Sequence, residues 1–206
     1  KADNKSYSFQ RIISVNNCEY LTLVQCRENV DDALKGVLWY SPVCPDASWM
    51  LPIYASVTEL HPTYNVDAGD HYEFTRKSMR WAVGSLSTYM NIKWEPMYAD
   101  MCEFRDKYEG AAIRNQLAIE AAATELLQND REAGIAFLTD YTYRLADSYL
   151  NAIWDTVDYL IWKYDMGFVT ENGRVNGKGY PQDWIDLVFE HSYGTTDIRG
   201  WEVTGW

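Results

Sequence analysis

Two hydrophobic periods divide the chain. Up to about residue 60, apolar positions alternate or form short runs between turn residues; beyond Asp70 they recur at spacings of three and four. The segment 18–27 (CEYLTLVQCR) is the clearest strand, with Tyr20, Thr22, Val24 and Cys26 on one face and Leu21, Leu23, Gln25 and Arg27 on the other. Before it, 6–15 (SYSFQRIISV) alternates weakly, and Asn16-Asn17 signals a turn. A short apolar strand is expected over 36–41, ending at Pro42, and another over 53–60, between Pro52 and Pro62.

The helical pattern starts at Phe74. Residues 74–92 place Met79, Ala82, Val83, Leu86 and Met90 on one stripe, with Thr75 as the expected cap. A second helix is expected over 97–108 after Pro96, and a third over 111–128, rich in Ala, Leu and Glu. The longest pattern covers 131–164, where Ile135, Leu138, Leu145, Tyr149, Ile153, Val157, Leu160 and Tyr164 keep the spacing and Asp130 stands at the cap position. A stretch containing Gly167, Gly173, Gly177 and Gly179 follows, then a short helix over 181–190 with Pro181 in its first turn. Strands followed by helices, without alternation, predict an α+β fold. Residues 1–66 form its strand-rich part, 67–166 a helical region of the same domain, and 167–206 a tail with a short helix. About four strands are too few to cover these helices, so the sheet is expected to be incomplete within this chain.

Composition narrows the partners. With 47% apolar and 23% charged residues in a length of 206, the chain is not intrinsically disordered. No apolar run approaches the roughly 20 residues of a membrane-spanning helix. A net charge of −12 repels polyanions, so neither nucleic acid nor a membrane is expected as a partner. Nine Trp and 16 Tyr imply an extensive core or interface. Cys18, Cys26, Cys44 and Cys102 lack zinc-like spacing, and His61, His71 and His191 are far apart, so no metal or other cofactor is expected. The opening Lys1-Ala2-Asp3 suggests processing of a longer precursor or a trimmed chain. Four cysteines in an acidic, aromatic-rich chain fit a periplasmic or secreted setting.

Candidate chemistry is sparse. Gln25 and Arg27 share a face at a strand end, where a half-buried Arg needs a partner and a structural ion pair is the plain reading. Cys26, on the other face, reads as a small core residue. Cys18 and Cys26 would stand roughly 26 Å apart along one strand, beyond disulfide reach. Cys44, between Pro42 and Pro45, reads as a disulfide partner or an inert thiol, and as a nucleophile only if something depresses its pKa. The aromatics Trp154, Tyr159, Trp162 and Tyr164 read as helix packing. No self-contained catalytic set emerges.

A resemblance adds to this. The segments 19–27 (EYLTLVQCR), 36–39 (GVLW) and 51–58 (LPIYASVT) resemble the cysteine dipeptidases of the N-terminal-nucleophile hydrolases, relatives of penicillin V acylase and bile salt hydrolase. Further similarity runs through 78–82 (SMRWA), through 116–146 with its FLTDY core, and through 179–184 (GYPQDW). The likeness corresponds to the C-terminal half of that family. It implies a partial αββα sandwich and an amide hydrolase for short peptides, using the thiol and α-amine of an N-terminal cysteine. Residue 1 here is lysine, so the nucleophile is expected on a separate N-terminal chain, with no catalytic residue in this one and no activity in this chain alone. Carried over by the motif, Gln25 and Arg27 are the candidate substrate-binding residues: Arg27 for a substrate carboxylate, Gln25 as a polarising donor. A higher oligomer is compatible with this picture. A non-catalytic peptide- or amide-binding module, or a structural subunit of the same fold, is the alternative.

Overall fold

Seven residues of extended chain, a nine-residue connection and seven more residues of strand build the first antiparallel pair. In the computed structural model, which describes residues 14–15, 18–65, 73–177 and 182–192, strand β1 (Tyr20–Cys26) runs antiparallel to β2 (Gly36–Pro42). Their register joins Tyr20 with Pro42 and Cys26 with Gly36. β3 (Leu51–Tyr54) pairs with the far side of β2, Val37 opposite Tyr54 and Tyr40 opposite Leu51, giving the order β1-β2-β3. Pro52 is tolerated because β3 is the outer strand among the described residues, where a missing N–H breaks no ladder. The strand expected over 53–60 is shorter and starts earlier. After Tyr54 the chain turns, closed by Val57 N–H to the Tyr54 carbonyl at 3.1 Å, and Ser56 Oγ reaches back to the Ala33 carbonyl at 2.9 Å.

Helix α1 (Met79–Met90) buries the predicted stripe of Met79, Ala82, Val83, Leu86 and Met90. It begins five residues later than the pattern, which starts at Phe74, suggests. Thr75 does cap, but its hydroxyl takes the Lys77 N–H at 3.2 Å and closes a separate turn, leaving Ser78 as the helix boundary. α2 (Trp94–Arg105) starts before Pro96 rather than after it, since the third helical position needs no N–H. A π-turn, Asp106–Gly110, leads directly into α3 (Ala111–Asn129). Asp130 then separates α3 from α4 (Arg131–Lys163), and its carboxylate caps α4 by accepting from Ala133 N–H at 3.1 Å. Gly134 lets the two helices turn this sharply: a Cβ there would lie 2.5 Å from Leu127 Cγ and 2.9 Å from the Leu127 backbone nitrogen.

Contacts divide the chain into two units, Lys1–Asp158 and Tyr159–Trp206. In the first, the inner sheet face (Val37, Trp39, Tyr54) packs with Ala33, Leu34, Ala123, Leu127 and Leu138. This is burial of one sheet face against an α3–α4 hairpin. The other face is different: Tyr20 is 59% and Val24 65% exposed, and a groove of about 400 Å³ runs over Val24, Leu38, Ile53 and Leu60. One expectation is corrected here. Cys26, read as core, is exposed because it points to this uncovered face. Leu23 lies on the helix-facing side but is 57% exposed, because β1 is the outermost described strand.

In the second unit, β4 (Phe168–Glu171) and β5 (Arg174–Gly177) form a hairpin across Asn172-Gly173, both with positive φ (51° and 71°). That is a two-residue turn of the kind that matches strand twist. α5 (Gln182–Ser192) follows. Trp162, read as packing, is 58% exposed. Residues 6–13 of the strand expected over 6–15, and the Asn16-Asn17 turn, lie outside the described residues. All four cysteines are free thiols. Among the described residues, no helix is long and apolar enough to cross a membrane.

Candidate functional site

The last residues of β1 face α3, and the contact is polar. Asn29 (φ 59°) turns the chain after β1, Asp31 Oδ1 accepts from Ala33 N–H at 2.9 Å to start a 3-10 turn over Asp32–Leu34, and Arg27 N–H bonds the Lys35 carbonyl at 2.9 Å. This brings the Leu34 carbonyl to the Arg27 guanidinium, whose Nη2 donates to it while Nη1 donates to Glu120. Glu120 is only 8% exposed, on the α3 face otherwise formed by Ala112, Ala123 and Leu127. A buried carboxylate in that position needs its charge answered and its lone pairs filled. Arg27 supplies the first. Tyr54 Oη at 3.1 Å and Gln116 Nε2 at 2.9 Å help with the second.

Gln116 also bridges back to the strand, donating to Gln25 Oε1 at 3.0 Å, and Trp39 Nε1 donates to the same oxygen at 3.4 Å. The cluster thus links Gln25, Arg27, Trp39 and Tyr54 on the sheet side with Gln116 and Glu120 on α3. Burial, then the negative charge of Glu120, pushes the Tyr54 phenol far above its usual value, so it stays a donor. The same two causes raise Tyr141. Arg27 Nε is sealed from solvent with no hydrogen-bond partner.

The two sequence-predicted residues, Gln25 and Arg27, are therefore brought into one network through Gln116 and Glu120. Sequence reasoning missed those two. A signal existed: an i, i+4 polar pair falls within the apolar stripe of α3, where a glutamate implies a partner.

Cys44 sits at the head of another 3-10 turn, Pro45–Ala47, with its Sγ 2.9 Å from Ser87 Oγ. It is buried, and burial together with the nearby Asp46 side chain pushes its thiol up to about 11. At neutral pH it is held as the thiol and is not a nucleophile. A neighbouring cleft of about 540 Å³ opens along α1 between Phe74, Trp81, Gly84 and Thr88. Among the described residues, no group of three His, Cys, Asp or Glu side chains could hold a metal ion.

The Arg27 guanidinium is taken up by Glu120 and the Leu34 carbonyl, and this cluster contains no activated nucleophile. A family model does match: that of peptidase family C69, a cysteine dipeptidase family of the N-terminal-nucleophile superfamily, over residues 1–107. The matched stretch includes Gln25 and Arg27 and all three strands of the first sheet; Gln116 and Glu120 lie beyond it. No curated protein matches the chain. With 107 of its 206 residues matched in one continuous stretch, the chain belongs to peptidase family C69.

Proposed function

We propose that this chain is the C-terminal portion of a dipeptidase-like amidohydrolase. It cleaves short peptides together with a polypeptide whose first residue is the nucleophilic cysteine. The observation that carries the reading is the uncovered sheet face, with Tyr20 59% and Val24 65% exposed beside half-buried Leu38 and Ile53. Sheets bury such faces by stacking on a second sheet about 10 Å away, and in this reading the cysteine-bearing polypeptide supplies that second sheet. The family membership supports the same chemistry.

In the assembled enzyme, the cysteine thiol attacks the peptide carbonyl. Its own α-amine, with a pKa near 8, takes the thiol proton and passes it to the amine that leaves as the C–N bond breaks; water then hydrolyses the resulting thioester and frees the acid and the thiol. Gln25 meets the substrate from the end of β1. Arg27, already bonded to Glu120 and Leu34, contributes by holding that end of the strand in place. A periplasmic or secreted setting and a higher oligomer are part of this proposal.

Alanyl-alanine hydrolysis tests it, measured for this chain alone and after addition of the cysteine-bearing polypeptide. Activity is expected only with both, and iodoacetamide should abolish it while labelling the N-terminal cysteine. Hydrolysis by this chain alone, or loss of activity that follows labelling of Cys44, would overturn the reading. Tight peptide binding with no hydrolysis in either case would favour a binding module instead.

A further inference from the structure

The hydrogen-bond directions in the β1–α3 cluster leave one donor and one acceptor facing outward. Gln25 Oε1 lies 3.0 Å from Gln116 Nε2 and 3.4 Å from Trp39 Nε1. An indole N–H can only donate and a carboxylate can only accept. Trp39 therefore turns the Gln25 oxygen inward, and Glu120, 2.9 Å from Gln116 Nε2, does the same to the Gln116 nitrogen. Flipping either amide would set donor against donor or acceptor against acceptor. What remains is the Gln25 NH2 group and the Gln116 carbonyl oxygen. Neither has a partner among the described residues, and neither is among the sealed unpaired atoms. They stand side by side, one on each element, held in opposite senses by the bond between the two side chains.

A secondary amide carries the complementary pair: a carbonyl that accepts and an N–H that donates. Apolar surface frames the pair. Leu23, two residues before Gln25 on the same strand face, is 57% exposed; Ile113 and Leu117 beside Gln116 on α3 are 55% and 81% exposed. We propose that Gln25 and Gln116 together form a subsite that reads one backbone amide of a short apolar peptide, Gln25 donating to its carbonyl and Gln116 accepting from its N–H. The proposal rests on the peptidase reading for its ligand class. It adds Gln116 and assigns each atom a direction.

The probe is N-acetyl-leucine N-methylamide, a blocked residue with two secondary amides, an aliphatic side chain and no charge. Titrated into the 15N-labelled 206-residue chain, it should move the Gln25 side-chain NH2 signals saturably. The analogue with both N–H groups methylated should bind about tenfold more weakly, the effect of leaving a polar partner unmet. Gln25→Met and Gln116→Met should each weaken the parent probe by about the same factor, with the backbone spectrum unchanged elsewhere. The inference is overturned if no saturable shift occurs, if the Gln25 signals stay still while the probe binds, or if the methylated analogue binds equally well. Should the methionine variants unfold, the comparison of the two probes on the unaltered chain still decides. Dipeptide hydrolysis by the assembled enzyme with a silent Gln25 amide would sink this subsite alone; absent hydrolysis would sink the peptidase reading.

Discussion

Replacing Glu120 by alanine strands several groups at once. The Arg27 side chain, 18% exposed, loses its ion-pair partner, and the buried Tyr54 hydroxyl and Gln116 amide lose an acceptor. Removing one member of a buried ion pair costs about 3–5 kcal/mol. Residual solvent access at Arg27 lowers its share to roughly 2–3 kcal/mol, and the unpaired Tyr54 hydroxyl adds about 1–2 kcal/mol. The expected loss is therefore about 3–5 kcal/mol. With a urea slope near 2 kcal/mol per molar, the unfolding midpoint should fall by about 1.5–2.5 M. Glu120→Gln keeps an acceptor but not the charge and should lie between. The double variant Arg27→Met with Glu120→Leu should recover at least half of the loss, because apolar side chains of similar volume leave no unpaired charge. Urea unfolding followed by tryptophan fluorescence measures all four proteins. A Glu120→Ala midpoint within about 0.3 M of the parent, or a double variant that recovers none of the Glu120→Ala loss, would refute the view that this carboxylate organises the cluster.

Other outcomes follow from the same structure. With a thiol reagent at pH 7, the exposed Cys26 should react promptly and Cys44, buried with its thiol raised to about 11, only after denaturant; mass mapping of the adducts reads this out. Val24→Lys on the bare sheet face should reduce self-association of the isolated chain in analytical ultracentrifugation and change its stability by no more than about 0.5 kcal/mol. Gly134→Ala should destabilise by about 1–3 kcal/mol in urea, since the added methyl meets Leu127 and part of that contact is backbone. His61 Nδ1 accepts the Thr63 N–H at 3.3 Å, so the ring must be unprotonated there; burial holds its pKa below the usual value, with Asp147 opposing weakly. The unfolded chain takes the proton first as pH falls. The neutral ring's contribution is thus complete above about pH 6.5 and lost as pH drops through the lower folded value. The parent should lose more urea resistance between pH 7.5 and 5.5 than His61→Asn, and equal losses would contradict this assignment.

Local periodicity was enough for the helices, because their apolar stripes are long and their stops are strong. Asp130 and the stripe of Met79, Ala82, Val83, Leu86 and Met90 needed only spacing to be found. Boundaries failed where a polar residue had two uses, as at Thr75, whose hydroxyl closes a turn instead of starting α1. The β4–β5 hairpin was readable from Asn172-Gly173 but was obscured by the surrounding glycines. The site was half readable. Period two placed Gln25 and Arg27 together, whereas their partners lie about ninety residues away and are joined to them only by the tertiary packing of α3 under β1. Cys26 was misplaced for a related reason: alternation says that two faces differ, and cannot say which of them another layer covers.

The π-turn between α2 and α3 bears on how this chain could tolerate insertions and deletions. A plain α-helix advances about 100° per residue, so one added residue would swing everything downstream by that angle. The wider turn at Asp106–Gly110 absorbs the extra residue, which keeps Met97 and Met101 of α2 in phase with Glu120 and Leu127 of α3. Deleting Lys107 would then restore ordinary winding without rotating Glu120 away from Arg27. The rod would lose only about 1.5 Å of length. This short segment is a natural place for the length of the chain to drift by one while the polar cluster beneath the sheet stays aimed.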